Sequence, residues 1–270
     1  MRVWFLLALT AGPMATSVSG QGAPGGSTAA SGASPAALVA RGDSARNRFE
    51  LQAALDAYDE ALAIDSLDYA ANWKAALTLV DIGKETPDSI PDAARDKLYK
   101  RAEVLSRRAV AINPKGPDAL FVLSNAVGRA ALTKSPKERV KVANEIYDYS
   151  TAALGFDHRH DGAYHVLGRW NAEIMRLSSV ERFFAKSFMG GRRFSAASWD
   201  EAQKYLERAV EINPTFIYHR LDLAEVYIDR HKYAEARAQL EKIPSLPRQD
   251  SSDPMYIRDA RTLLEQIKGK

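Results

Sequence analysis

An all-α solenoid is the fold this sequence predicts, and three observations carry that prediction. From Pro35 to the C-terminus, apolar residues and alanines recur with helical rather than alternating period. Paired helical segments then recur about every 34 residues, the spacing of a stacked helix–turn–helix repeat. The chain has no cysteine, so its fold must rest on stacked apolar faces and not on a disulfide framework.

The chain opens differently. Arg2 precedes an apolar run from Val3 to Ala11, and Val18-Ser19-Gly20 offers the small residues that a signal peptidase selects. Residues 1–20 are therefore expected to be a cleaved secretory signal, since the apolar run is about half the roughly 20 residues a membrane-spanning helix needs. Export to a periplasmic or extracellular space follows from that reading. Residues 21–34, rich in Gly, Ala and Ser with no apolar period, are expected to be a disordered linker ahead of a repeat domain at 35–270.

The repeats are clearest in their second helices, which read AALDAYDEALAIDS, RAEVLSRRAVAINP, EIYDYSTAALGFD and AQKYLERAVEINP. Ala61, Ala109, Ala152 and Ala209 align, and small residues are what two antiparallel helices need where they cross closely. Pro114 and Pro214 stop their helices. The first helices carry Leu38, Gly42 and Ala45; Trp73, Ala76 and Leu77; Leu120, Leu123 and Val127; Leu167, Gly168 and Asn171; Leu223, Ala224 and Tyr227. Together these match the tetratricopeptide pattern in about five hairpins. The segment opened by Asp253-Pro254, read as an N-cap with proline at the first helical position, is the C-terminal capping helix.

Three hairpins carry insertions between their helices: Gly83 to Pro91, Lys134 to Pro136, and a long one at 178–198 in the fourth hairpin. Capping boxes at Ser135–Glu138 and Ser198–Glu201 mark where second helices restart, and a third at Ser178–Glu181 predicts an extra helix inside the long insertion, stopped by Gly190-Gly191. Val180, Phe183, Phe184 and Ser187 fall on one face of that helix. Arg182 and Lys186 fall on the other, and Phe188, Arg192 and Arg193 follow. Such a helix either docks its phenylalanines on the solenoid or meets a membrane surface or partner.

The succession of a tryptophan-bearing helix, a helix ending AINP, a tyrosine-rich helix, GRWNAE, the ERFFAKSF insertion, and the final ERAVEINP and LAEVY pair resembles the repeat domain of the regulator of microtubule dynamics family. The resemblance covers about Ala70 to Ile267, and Trp199 to Pro214 match the helix that follows the family's insertion. It implies association with microtubules, with contacts between organelle membranes, or with phospholipids. Here a short secretory signal stands where the family has a longer anchored leader. The resemblance therefore implies a lipid or hydrophobic ligand and not tubulin.

Residue chemistry narrows the function further. With 37 Lys and Arg against 34 Asp and Glu, the net charge of +3 excludes the electrostatic footprint of a nucleic-acid binder. There is no phosphate-binding glycine loop, no nucleophile elbow and no thiol, so the chain reads as a non-enzyme without cofactor, a hydrolase being the rival reading. Asp157, His158, His160, Asp161 and His165 are the one metal-like cluster, but they lack ligand spacing and are read as loop polarity with no metal. Asp222 with Glu225, and Asp56 with Asp59 and Glu60, sit at helix-surface spacing and are read as solvated faces.

In tetratricopeptide folds the first helix of each hairpin lines the concave groove. The register thus selects Trp73 and Phe121 as apolar contacts, and Asn125, Arg129, His165, Arg169 and Glu173 as polar ones. Arginines among aromatic walls suit an anionic, partly apolar guest. The expected function is a secreted scaffold that binds a protein, peptide or anionic lipid-like ligand in this groove. The alternative is a lipid-binding module acting at a membrane surface through 178–198.

Overall fold

The computed structural model describes residues 33–85, 92–131, 136–178 and 191–270. Twelve α-helices and no strand occur among the described residues: α1 (Pro35–Asn47), α2 (Leu51–Ile64), α3 (Tyr69–Gly83), α4 (Ala93–Ile112), α5 (Pro117–Ala130), α6 (Pro136–Phe156), α7 (Asp161–Arg176), α8 (Gly191–Ala196), α9 (Trp199–Ile212), α10 (Ile217–Asp229), α11 (Tyr233–Leu240) and α12 (Asp253–Gln266). Packing pairs α1 with α2, α3 with α4, α5 with α6, α7 with α9 and α10 with α11, while α12 covers the last pair. The chain is a tetratricopeptide solenoid of five hairpins and a cap.

Local chemistry starts each helix where the sequence supplies it. Asp68 accepts from the Ala71 amide at 2.7 Å, and Asp92 accepts from Ala94 and Arg95 at 2.8 and 2.9 Å, satisfying donors that the first turn leaves orphaned. Pro35 and Pro117 occupy first-turn positions, where a missing N–H costs nothing. Inside the hairpins, close approach is made by first-helix glycines. A Cβ on Gly42 would run into the Tyr58 ring, and one on Gly168 would meet Leu206 and the Ala202 carbonyl.

Three details of register differ from expectation. The fully buried alanine of the third hairpin is Ala153, not Ala152, because the C-cap amide of Asp157 bonds Ala153 just as those of Asp65, Asn113 and Asn213 bond Ala61, Ala109 and Ala209. The close crossing inside a hairpin lies at Gly42 against Tyr58 and Gly168 against Leu206, one turn before the aligned alanines. The capping helix begins one residue earlier than read, with Ser252 as N-cap and Asp253 turned back to accept the amides of Gln249 and Asp250 at 2.7 and 2.8 Å.

At Ser198 only half of the capping box forms. Its hydroxyl accepts from the Glu201 amide at 3.1 Å, but its own N–H goes to Asn171 Oδ1 at 3.3 Å. Ser135, the part of the Ser178 box from 179 onward, the leader at 1–20 and residues 21–32 of the linker at 21–34 lie outside the described residues, while Ser34 at the linker's end caps α1, accepting from the Ala37 amide at 3.3 Å. No described helix is long and apolar enough to cross a membrane.

Two non-glycine residues, Phe49 and His231, hold φ of 62° and 61° in the turns of the first and fifth hairpins. The Phe49 turn has a long-range partner. The segment before α12 returns to the start of the solenoid, and the Arg248 guanidinium lies 3.9 Å from the centroid of the Phe49 ring. The groove is thus bounded at one end by contact between the first hairpin and the C-terminal loop.

Candidate functional site

Helical period brings the groove residues into line. On α3, Trp73, Leu77 and Asp81 succeed one another at four-residue steps, as do Phe121, Asn125 and Arg129 on α5, and His165, Arg169 and Glu173 on α7. All nine line one cavity of about 470 Å3. The seven groove residues selected from the sequence are therefore all brought together. Gly162 makes the approach possible, because a Cβ there would sit 2.7 Å from the Phe121 ring, which also meets His160 at 4.9 Å between centroids. His160 is the N-cap of α7, its Nδ1 accepting from the Ala163 amide at 3.1 Å, and so serves the helix.

The apolar wall continues onto Trp170, Val142 and Ile146. Trp170 is fixed by a 2.7 Å bond from its indole N–H to the Ala143 carbonyl and by Tyr147 at 4.9 Å. The described end of the long insertion stands behind this wall. Phe194 of α8 is buried against Trp170, and Arg193 pairs with Asp148 at 2.7 Å and lies over the Tyr147 ring. Arg193 is thus engaged with α6. Arg182, Phe183, Phe184, Lys186 and Phe188 lie outside the described residues, as does the side chain of Arg192.

The first charged cluster in the groove joins α1 and α3. Asp81 is buried, pairs with Arg46, and accepts from Lys84 at 2.7 Å, while Arg46 also donates to Thr78 at 3.0 Å. Burial pushes the Asp81 carboxyl up, but Lys84 and Arg46 outweigh it and hold it below its ordinary value. Asp250 of the C-terminal loop lines the same cavity and adds its field to both cations.

A second cluster joins α7 and α10. Arg169 donates to Asp222 at 3.0 Å and to the Tyr218 hydroxyl. Tyr218 in turn stacks on Tyr256 of α12 at 4.4 Å. Beside this pair runs a chain of side chains: Asp161 Oδ2 to His219 Nε2 at 3.1 Å, His219 Nδ1 to His165 Nδ1 at 3.0 Å, and His165 Nε2 to Asp222 Oδ2 at 3.1 Å. The last contact is off the line of an N–H···O bond, and His165 Nε2 is buried without a hydrogen-bond partner. Burial pushes the His165 imidazole down to about 4, against the upward pull of Asp222. Asp222 is buried too, but the Arg169 guanidinium overcomes that burial and holds its carboxyl well below the usual range. At Asp161 burial again pushes the carboxyl up, and His219 outweighs it and holds the group low.

The sequence reading puts Asp222 on a solvated face, and the structure corrects that. It is 5% exposed, because α10 turns Tyr218 and Asp222, one turn apart, into α7. Glu225 meets Arg176 at 3.7 Å on the same seam. Asp56 and Glu60 do lie in solvent, and Asp59 pairs across the surface with Arg101. The first-helix rule, extended to α10, would have found Tyr218 and Asp222. Arg46 and Lys84 had no signal beyond their place on α1 and after α3. Among the described residues no group of three or more His, Asp or Glu is placed to hold a metal ion.

Residues 38–268 match the family model described as Regulator of microtubule dynamics protein 1-3. Regulator of microtubule dynamics protein 1 of Caenorhabditis elegans is 25% identical over 130 residues, which cover 48% of this chain and 57% of that protein. The match spans little more than half that relative's length. Among solved structures, a thermophilic tetratricopeptide protein of Thermus thermophilus superposes with a TM-score of 0.62 at 19% identity, covering 85% of this chain and 100% of the other. The pilF protein of Pseudomonas aeruginosa gives 0.51 at 15%, covering 87% and 93%. These two likenesses concern the fold alone.

Proposed function

The chain belongs to the regulator of microtubule dynamics family, and from that premise we propose that it is a non-enzymatic repeat scaffold whose concave cavity holds a ligand with an apolar body and an anionic end. The observation that carries the reading is the cavity's mixed wall. Trp73, Phe121, Trp170 and Ile146 supply an apolar surface, and Arg46, Lys84, Arg129 and Arg169 stand along it. A volume of about 470 Å3 lies within the ~300–1,000 Å3 usual for small-molecule sites. It takes one amphiphile, or the end of one polypeptide, and not a long strand passing through. The apolar leader at Val3–Ala11 supports work after export.

The docked end of the insertion, Phe194 and Arg193, supports a wall-building role for that segment over the membrane-surface alternative. The test uses anilinonaphthalene sulfonate, an aromatic anion of constant charge, together with mass spectrometry of whatever the purified protein releases on denaturation. Trp73→Ala with Phe121→Ala should abolish probe binding, and Arg129→Gln should weaken it about tenfold. Competition by decanoate and by an acidic peptide then tells an amphiphile from a polypeptide end. Binding that is the same in all these folded variants would place the site elsewhere.

A further inference from the structure

We propose that an anion entering this groove is bound together with one proton, which is taken up on His165 Nε2. The inference rests on the cavity being the ligand site and adds how that site is regulated. It comes from counting protons along the four-residue chain at the α7–α10 seam. Asp161 accepts from His219 Nε2, so that nitrogen carries a hydrogen, and in a neutral His219 Nδ1 is then a bare acceptor. His165 Nδ1, 3.0 Å away, must then be the donor between the two rings. In a neutral His165 this leaves Nε2 bare, beside the buried carboxylate of Asp222. Two acceptors thus face each other in a nearly dry place.

That arrangement holds because Arg169 compensates Asp222 from the other side. Arg169 lines the cavity, one helical turn from His165, and is the cation an entering anion meets at this end of the groove. An anion that takes up its guanidinium draws donor strength away from Asp222. The remaining basic atom within reach of Asp222 is His165 Nε2. A proton from water adds there, forming one N–H bond and an imidazolium, and the contact at 3.1 Å becomes an ion pair. No bond is broken in the guest.

The groups around His165 set the sign. From α10 it faces His219, Asp222 and Tyr218, with Glu225 one turn further on. On its own helix it has Asp161, Arg169 and Glu173. The nearest charges of α5 are Arg129, whose field reaches Tyr218, and Asp118, which lies beside His160. Burial opposes a charge on His165 most strongly, and the Arg169 cation adds to it. A bound anion offsets the Arg169 part, so guest and proton favour each other.

The experiment is titration calorimetry of the full-length protein with anilinonaphthalene sulfonate in two buffers of different ionisation heat. Near pH 6 the buffer dependence should report uptake of about one proton, and affinity should rise by up to about tenfold for each unit the pH falls between about 7.5 and 5. His165→Asn should bind without proton uptake and with flat pH dependence. Asp222→Asn, which removes the acid that draws the proton, should do the same, so that loss of fold in one variant leaves the other to report. Binding by the parent with no buffer dependence overturns the inference while leaving the cavity reading intact. Absence of probe binding at every pH overturns both.

Discussion

Asp81 and Asp222 are each a buried carboxylate on the first helix of a hairpin, and each stands between two basic side chains. The partners of Asp81 are Arg46 and Lys84, both permanent cations. Those of Asp222 are Arg169, a permanent cation, and His165, an imidazole whose charge changes with pH and which burial pushes down to about 4. The α1–α3 cluster therefore acts as a rivet at all physiological pH values. The α7–α10 cluster acts as a rivet only while Arg169 stays on Asp222, with a titratable spare beside it. Replacing one lysine-like partner by histidine converts a structural ion pair into a proton-sensitive one.

The largest expected effect breaks the symmetry directly. Arg169→Met leaves Asp222 buried with no permanent cation and should cost about 3–5 kcal/mol at neutral pH in urea unfolding. Arg46→Met leaves Asp81 its 2.7 Å bond from Lys84 and should cost about 1–2 kcal/mol. Equal losses would show that His165 already carries charge in the resting protein. The Arg169→Met deficit should also shrink towards pH 5, where His165 can take over.

Next in size is the pH dependence of stability. His165 has a folded value of about 4 against an ordinary 6.5, so above the higher figure it is neutral in both states and costs nothing. Below it the unfolded chain takes a proton that the folded chain refuses, and stability falls as pH drops from 6.5 towards 4. The loss should amount to about 3 kcal/mol. His165→Asn should remove that slope. Asp81, Asp161 and Asp222 are all held low, so their contributions are lost only below about pH 4 and do not overlap. Unfolding series between pH 7.5 and 4 on parent and variant separate the two windows.

How much of this was legible follows from the same contrast. Trp73, Phe121, Asn125, Arg129, His165, Arg169 and Glu173 were readable because a four-residue step on a known face is a property of one helix alone. The α7–α10 cluster was not, since it depends on which two helices meet across more than 50 residues, as Arg169 and Asp222 do. Carboxylates at helix-surface spacing look alike whether a neighbour covers them or water does, which is why Asp222 and Glu225 read as solvated. The alanine register failed by one residue in the third hairpin, where Ala152-Ala153 offers two candidates and only the C-cap bond from Asp157 decides. Ala109→Leu, Ala153→Leu and Ala209→Leu should each overpack and cost about 1–3 kcal/mol, while Ala152→Leu should leave the melting curve nearly unchanged.

The smallest effect tests whether the two clusters are independent. Although Asp81 and Asp222 stand three hairpins apart in the repeat array, the loop before α12 brings Asp250 to the first cluster while Tyr256 of α12 stacks on Tyr218 of the second. One short segment therefore touches both. Its anchor on the first hairpin is Arg248 over Phe49, whose backbone lies in the left-handed region. Arg248→Ala should cost only about 0.5–1 kcal/mol, the usual worth of such a contact. Its effect should be lopsided. The Asp250 field on Arg46 and Lys84 depends on where the loop lies, whereas Tyr256 is buried in the cap and stays on Tyr218. Amide exchange should quicken at the ends of α1 and α3 and stay unchanged in α7 and α10. Equal quickening at both seams would mean that the loop couples them, so that a proton taken up at His165 is felt at Asp81.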